Sequence, residues 1–206
     1  MYHIEMLSRV ENTPELETER LILRRFREGD EQALLDIFGD KKVNIFLPMF
    51  PLKNLEEAHA YLVEHYLKFY EQEACGYRYA VCLKENPDRV IGYMGVGENE
   101  SHDTGWGMHR DFWGQGFATE GARAMIERVR EAGMPYITAT HDRNNPRSGR
   151  VMQKAGMTYR YSYKEQWQPK NFPVIFRMYQ LDLNGTHPTY DHYKTMYPVH
   201  FVETRL

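Results

Sequence analysis

Between Arg110 and Glu120 the chain reads Arg-Asp-Phe-Trp-Gly-Gln-Gly-Phe-Ala-Thr-Glu and runs straight into an amphipathic helix. Ala118, Ala122, Met125, Ile126, Val129 and Ala132 recur on one helical face, and Gly133 and Pro135 end it. The segment before it, Thr104 to His109, reads as a strand with Trp106 and Met108 on one face. A strand, then Gly114-x-Gly116-x-Ala118, then a helix, is an arrangement suited to phosphate. Glycines let the backbone approach a ligand. The first N–H groups of a helix have no internal partner, and its dipole adds positive potential there. An anion such as a pyrophosphate needs no lysine at such a junction. Two other readings exist: a plain tight turn, and a dinucleotide fingerprint. Thr119 stands where that fingerprint has its third glycine, and the preceding strand lies in an antiparallel meander, so the dinucleotide reading is the weaker.

The rest of the chain alternates strand and helix signals. Leu16 to Phe26 reads as a strand, Glu31 to Phe38 as a helix with Ala33, Leu34 and Ile37 on one face, and Pro48 and Pro51 mark a loop. Asn54 is placed to cap a helix over Leu55 to Glu73. Tyr77 to Leu83 and Val90 to Val96 read as strands joined by a turn at Asn86-Pro87-Asp88, and Gly97 to Asp103 as a polar connection. Tyr136 to Thr140 reads as a strand. Asn145-Pro146 opens a helix that closes at Ala155-Gly156. Strands follow at Thr158 to Glu165 and Pro173 to Leu183. The Tyr-, His- and Pro-rich tail from Thr186 carries no assigned structure.

At 206 residues the chain fits one large domain. Its 26 Lys+Arg against 29 Asp+Glu give a net charge of −3. No basic stripe exists to hold nucleic acid or an anionic membrane surface. No apolar run approaches the ~18 residues of a membrane span. Met1 to Val10, with His3, Glu5 and Arg9, lacks the apolar core of a signal peptide. Cys75 and Cys82 form neither a disulfide framework nor a zinc set. They read as reduced thiols of a cytoplasmic protein, and no metal site is expected.

Three segments together resemble the GNAT acetyltransferase superfamily, in its RimJ/RimL-like branch. Leu16-Glu-Thr-Glu-Arg-Leu-Ile-Leu-Arg-Arg-Phe26 is similar to that branch's opening strand. Trp113-Gly-Gln-Gly-Phe-Ala-Thr-Glu120 is similar to its acetyl-CoA loop. Asn145-Pro-Arg-Ser148 with Lys154-Ala-Gly156-Met157 is similar to its N-x-x-S…K-x-G-F segment, with Met157 in place of Phe. The likeness spans about residues 15 to 182.

The resemblance implies an α/β (α+β) fold: a mixed, mostly antiparallel sheet flanked by helices and splayed between His109 and Tyr136. Residues 1–185 would form the acetyltransferase domain and 186–206 an aromatic extension of it. Acetyl-CoA would be the co-substrate of an enzyme that moves an acetyl group to a primary amine, on a protein N-terminus or a small molecule, by direct attack in a ternary complex. Its pantetheine would pair with the backbone around Trp106, Gly107 and Met108. Its pyrophosphate would sit on Gly114, Gln115, Gly116, Phe117, Ala118 and Thr119, with Asn145 contacting the pantetheine. An oxyanion donor is expected among the backbone N–H groups near Met108.

For the leaving thiolate many relatives offer a Tyr on the helix after the Asn. Met152 stands there and donates no proton, so Ser148 is the candidate, against a plain capping role. The family's general base, often a Glu, aligns with Asp103, which also reads as an ordinary turn residue; Glu98, Glu100 and His102 are rivals. His109 and His141 end strands near the splay and are left out of the catalytic set. Arg147, Arg150 and Lys154 read as solvated charge or as partners of the ribose phosphate. The aromatic run Tyr190, His192, Tyr193, Tyr197, His200 and Phe201 reads as an acceptor wall, a homodimer contact or a cover for the sheet. A non-catalytic acyl-CoA sensor is the alternative to an enzyme.

Overall fold

The computed structural model describes residues 12–72 and 76–206. The readings of Met1 to Val10 and Cys75, and the end of the long helix at Glu73, lie outside those residues.

Two antiparallel sheets make the frame. The first runs in chain order through β1 (Leu16–Glu17), β2 (Leu21–Arg24), β3 (Tyr77–Leu83), β4 (Asn86–Val96) and β5 (Thr104–Met108). The second has β6 (Tyr136–Asp142) at one edge, then β8 (Phe172–Asp182), β7 (Thr158–Trp167) and β9 (His200–Phe201). The sheets touch at one parallel bridge, Asp103 with Thr138, where the Thr138 N–H donates to the His102 carbonyl at 3.3 Å. No further pair joins β5 to β6 among the described residues, so the strands splay from that point, as the resemblance implied.

Two local readings are corrected. Leu16 to Phe26 is a hairpin rather than one strand: polar Glu19 and Arg20 turn the chain, and the Thr18 N–H donates to the Leu21 carbonyl at 3.0 Å. The turn expected at Asn86-Pro87-Asp88 lies instead at Lys84-Glu85, and Asn86 already pairs with Leu83. Register shifts at Cys82 loosen that end of the ladder, which lets Pro87 stand in an exposed strand end without an N–H to give.

The alternation of β3 explains the two-sided core. Tyr79 and Val81 face α5 (Phe117–Glu131), where they pack with Met125 and Val129. Ala80 and Cys82 face the opposite layer, built from α1 (Glu31–Phe38), α2 (Lys41–Asn44) and α3 (Leu55–Leu62). Asn54 caps α3 by accepting the Glu57 N–H at 2.9 Å. The helix then widens into a π turn, Val63–Leu67, before α4 (Lys68–Tyr70). Tyr66 is buried there, and the His65 ring lies tilted against Tyr61 with centroids 4.1 Å apart.

The second sheet packs α6 (Pro146–Lys154) near one face and the C-terminal segment on the other. Tyr161, Tyr163 and Phe176 lie beneath Tyr190, Tyr193 and Tyr197. The Tyr161 hydroxyl donates to the Tyr190 carbonyl at 2.8 Å, and Glu203 accepts from Arg177 Nε at 2.9 Å and from the Ser162 hydroxyl at 2.7 Å. The segment thus forms α7 (His192–Met196) and the edge strand β9. No helix among the described residues is long and apolar enough to cross a membrane.

Candidate active site

The glycine junction has the geometry of an anion cradle. Gly114 and Gly116 have φ of +77° and +86°, a region that costs an L-residue about 1–2 kcal/mol. The first internal bond of α5 runs from the Glu120 N–H to the Gly116 carbonyl at 3.0 Å. The N–H groups of Phe117, Ala118 and Thr119 therefore have no backbone partner within the helix. Glu120 braces the junction from behind. It accepts from the Thr18 hydroxyl at 2.6 Å, the Arg20 N–H at 2.9 Å and Arg20 Nε at 2.7 Å. Burial pushes the Glu120 carboxyl up, but these donors together hold it below the usual range. Arg20 in turn donates from Nη1 to the Gln115 carbonyl at 3.1 Å and covers the Phe117 ring. Glu120 belongs to the segment that carried the resemblance, yet its partner lies a hundred residues away and no local pattern names it.

The open edge of β5 follows from its register. The His109 N–H bonds to the Ile91 carbonyl at 2.8 Å, so alternation turns the backbone groups of Gly105 and Gly107 toward β4 and those of Trp106 and Met108 toward the splay. The Met108 carbonyl is taken by Trp113 Nε1 at 2.8 Å, leaving its N–H on the open side. Gly107 differs from its neighbours: it pairs with Tyr93, whose ring lies where a Cβ would stand, 2.4 Å away. Across the splay, counting in step from the Asp103–Thr138 bridge puts His141 level with Trp106 and Asp142 level with Gly107. The start of α6 thus faces the end of β5, and the Arg147 guanidinium lies 5.4 Å from the Trp113 ring centroid.

Asp103 sits where the splay opens. A tight turn sets it: the His102 N–H donates to the Asn99 carbonyl at 2.9 Å, His102 has φ of +44°, and the Asp103 carbonyl accepts the Gly97 N–H. Asp103 Oδ1 is enclosed with no hydrogen-bond partner, and burial pushes its carboxyl up to about 7. Tyr163, Tyr190 and Tyr193 are raised first by burial and additionally by the nearby Asp103 charge. Of its rivals, Glu98 and Glu100 are exposed, while His102 is held down by burial.

Ser148 is half-buried in the first turn of α6, and its hydroxyl has no protein partner among the described residues. Its N–H is capped by Asn145 Oδ1 at 3.4 Å, so Asn145 performs the capping. Met152 is buried in the core. His109 accepts the Asp111 N–H at 3.3 Å as the cap of a short turn. His141 is buried with Nδ1 on the Asp142 carbonyl and Nε2 unpartnered, and burial lowers its pKa.

On the face of β5 that carries Asp103, the sheet shows a floor without side chains where Gly95 lies opposite Gly105, and the Tyr93 ring covers the neighbouring Gly107. Tyr61, His65, Arg78 and Tyr93 stand around a cavity of about 250 Å³ over that floor. Sequence reasoning missed this floor, because nothing in the glycines' local context says that their strands lie side by side.

Residues 20–158 match the model of the acetyltransferase (GNAT) domain family. The uncharacterized N-acetyltransferase p20 of Bacillus licheniformis is 28% identical over 116 residues, 54% of this chain and 64% of p20. The uncharacterized N-acetyltransferase YoaA of Bacillus subtilis (strain 168) is 25% identical over 160 residues, 73% of this chain and 89% of YoaA. Among solved structures, a GNAT-family acetyltransferase from Bacillus anthracis superposes with a TM-score of 0.70 at 22% identity, covering 82% of this chain and 98% of that one. The ribosomal L7/L12 α-N-protein acetyltransferase RimL in complex with coenzyme A gives 0.72 at 15% identity, covering 84% and 100%. With the family match spanning more than half of its length, the chain belongs to the GNAT acetyltransferases.

Proposed function

We propose that the protein transfers an acetyl group from acetyl-CoA to a primary amine by direct attack in a ternary complex. The observation that carries this reading is the splay itself: a free strand edge and an unpaired helix N-terminus lie at one end, and an enclosed carboxylate lies at the other. The residues present fit the co-substrate. The N–H groups of Phe117, Ala118 and Thr119, with the turn Gly114-Gln115-Gly116, would hold the pyrophosphate. The edge of β5 at Trp106 and Met108 would pair with the pantetheine as an added strand. Acetyl-CoA supplies an activated thioester.

Strand geometry supports a division of roles along β5. Each residue rises about 3.3 Å, so Met108 lies roughly 16 Å from Asp103 and Trp106 roughly 10 Å. The amine that the base deprotonates attacks the carbon whose oxyanion the donor holds, which favours the Trp106 N–H, nearer Asp103, over that of Met108 as the oxyanion donor. Met108, nearer the phosphate junction, is left for the pantetheine. Asp103 removes the amine proton through a water. A carboxyl brought to about 7 is matched to that task near neutral pH. Ser148, whose hydroxyl is otherwise uncommitted, donates to the sulfur as the C–S bond breaks.

Thermal unfolding with acetyl-CoA and an NAD control tests the donor site. At ~100 times its dissociation constant a ligand adds about 2.7 kcal/mol. Amine-dependent CoA release then tests the reaction. Binding without such release would favour the non-catalytic sensor, and no shift with acetyl-CoA would return the glycine junction to a plain turn.

A further inference from the structure

The cavity over the glycine floor has a chemical character that the transfer step itself does not require. Arg78 on β3 stands opposite Gly95 on β4, and Gly95 stands opposite Gly105 on β5. The row from Arg78 to β5 therefore carries no other side chain. The guanidinium is held at one end of it. Arg78 Nη1 donates to the His65 carbonyl, and the guanidinium carbon lies 4.1 Å from the Phe69 ring centroid. His65 belongs to the π turn Val63–Leu67, where the Lys68 N–H reaches back to the Val63 carbonyl and breaks the regular helical ladder. Among the described residues no carboxylate pairs with Arg78, and its Nε and Nη2 make no hydrogen bond.

The other polar groups of the cavity are hydroxyl donors. Tyr61, Tyr66 and Tyr93 line it, and none of their hydroxyls has a hydrogen-bond partner among the described residues. Tyr66 is only 6% exposed, and a buried hydroxyl without a partner calls for an acceptor atom. Burial pushes Tyr61 up to about 12 and raises Tyr66 and Tyr93 as well, so all three stay protonated near neutral pH. Burial, helped by the Arg78 charge, lowers His65 and leaves it neutral. No Asp or Glu lines the cavity. One cation, three phenol donors and no carboxylate suit an anion with several lone pairs. Arg78 repels an ammonium there, although tyrosine rings alone would favour one.

Spacing sets how far this anion lies from the reacting amine. Neighbouring strands are ~4.8 Å apart and residues rise ~3.3 Å, so Arg78 lies roughly 10 Å across the sheet from Gly105 and roughly 12 Å from Asp103. Side chains enter that span from both ends, which leaves room for about five bonds between the acceptor's amine and its carboxyl carbon.

We propose that the cavity is an anion subsite for the acceptor: the amine that is acetylated also carries a carboxylate, which Arg78 and the hydroxyls of Tyr61, Tyr66 and Tyr93 hold over the glycine floor. This names the acceptor class and rests on the acetyl-transfer reading above.

The probes are δ-aminovalerate, its uncharged amide δ-aminovaleramide, and the diamine cadaverine. Calorimetry on the full-length protein loaded with CoA is expected to show δ-aminovalerate binding ~20-fold tighter than the amide, and cadaverine weaker still. Arg78→Gln is expected to remove most of that preference, Arg78→Lys to keep part of it, and Tyr61→Phe, which keeps the ring, to reduce it about threefold. Melting curves confirm that each variant folds. CoA release from acetyl-CoA should follow the same order, with the difference carried by KM rather than kcat. The pair Ala-Asp-amide and Ala-Asn-amide, run alongside, tells a free amino acid from an acidic peptide as the source of the carboxylate, and a preference for the acid in either pair supports the inference. Equal binding of acid and amide in both pairs overturns it, as does a preference that neither Arg78→Gln nor Tyr61→Phe moves; CoA release in those cases leaves acetyl transfer standing. Carboxylate-selective binding with no CoA release from any acceptor keeps the anion site and overturns acetyl transfer.

Discussion

The two sides of the splay are built from different materials. On the α5–α6 side the groups proposed to hold the co-substrate are backbone: the N–H groups of residues 117–119 and the open edge of β5. They are supplied within one stretch of fifteen or so residues, from Trp106 to Glu120. On the opposite side the polar and aromatic groups are side chains gathered from distant parts of the chain. Tyr61 comes from the helical layer, Arg78 from β3, Asp103 from a turn and Tyr193 from the tail. A backbone site needs only glycines and a helix start, so it travels intact with its local sequence. A side-chain site is re-made by any change in loop length or tail packing, which is why one fold serves many acceptors.

The sharpest way to break this comparison is at Asp103. Asp103→Asn should lower kcat by about 10²–10³-fold and abolish the rise in activity through pH 7. Its folded pKa lies above the ordinary value, so the native state holds the extra proton between about 4 and 7. Stability therefore falls as pH rises through that window. The Asn variant, freed of that cost, should be more stable than wild type above pH 7 by on the order of 1–3 kcal/mol and so unfold at a higher temperature. Equal melting temperatures at pH 8 would show that the carboxylate is not desolvated.

On the backbone side, Gly116→Ala should weaken acetyl-CoA binding about tenfold by calorimetry. The added Cβ meets only the flexible end of Arg20, at 3.4 Å, so the loss comes from the left-handed conformation. Unchanged affinity would take the cradle away from this turn. Ser148→Ala should lower kcat about tenfold and leave the acetyl-CoA KM in place; full turnover would end its donor role. Glu120→Gln should raise the acetyl-CoA KM a few-fold. It should cost ~1 kcal/mol or less, since Arg20 is partly exposed. The smallest effect belongs to Asn145→Ala, whose long 3.4 Å cap is worth about 0.5–1 kcal/mol in the melting curve.

Much of the frame was legible beforehand. The helix expected over Glu31 to Phe38 and the strand over Tyr77 to Leu83 lie where their periodicity placed them. Asn54 and Asn145 cap the helices they precede. The misreadings share a cause. The hairpin at Glu19-Arg20 and the shifted turn at Lys84-Glu85 are decided by pairing partners and bulges, to which local propensity is blind. The tail was unreadable for the same reason. Its tyrosines have no period of their own and are arranged by Tyr161, Tyr163 and Phe176 beneath them.

From sequence alone came the strand–glycine–helix junction and the capping of α6, because each depends on residues within a helical turn of one another. Tertiary structure alone decided which face of β5 Asp103 shares with a glycine floor, that Glu120 leans on Thr18 and Arg20, and that Lys170 closes on Asn44. The last two of these join residues a hundred or more positions apart. Hydrogen bonding at such separation is set by how two sheets and a helical layer pack, and by no property of the neighbouring residues.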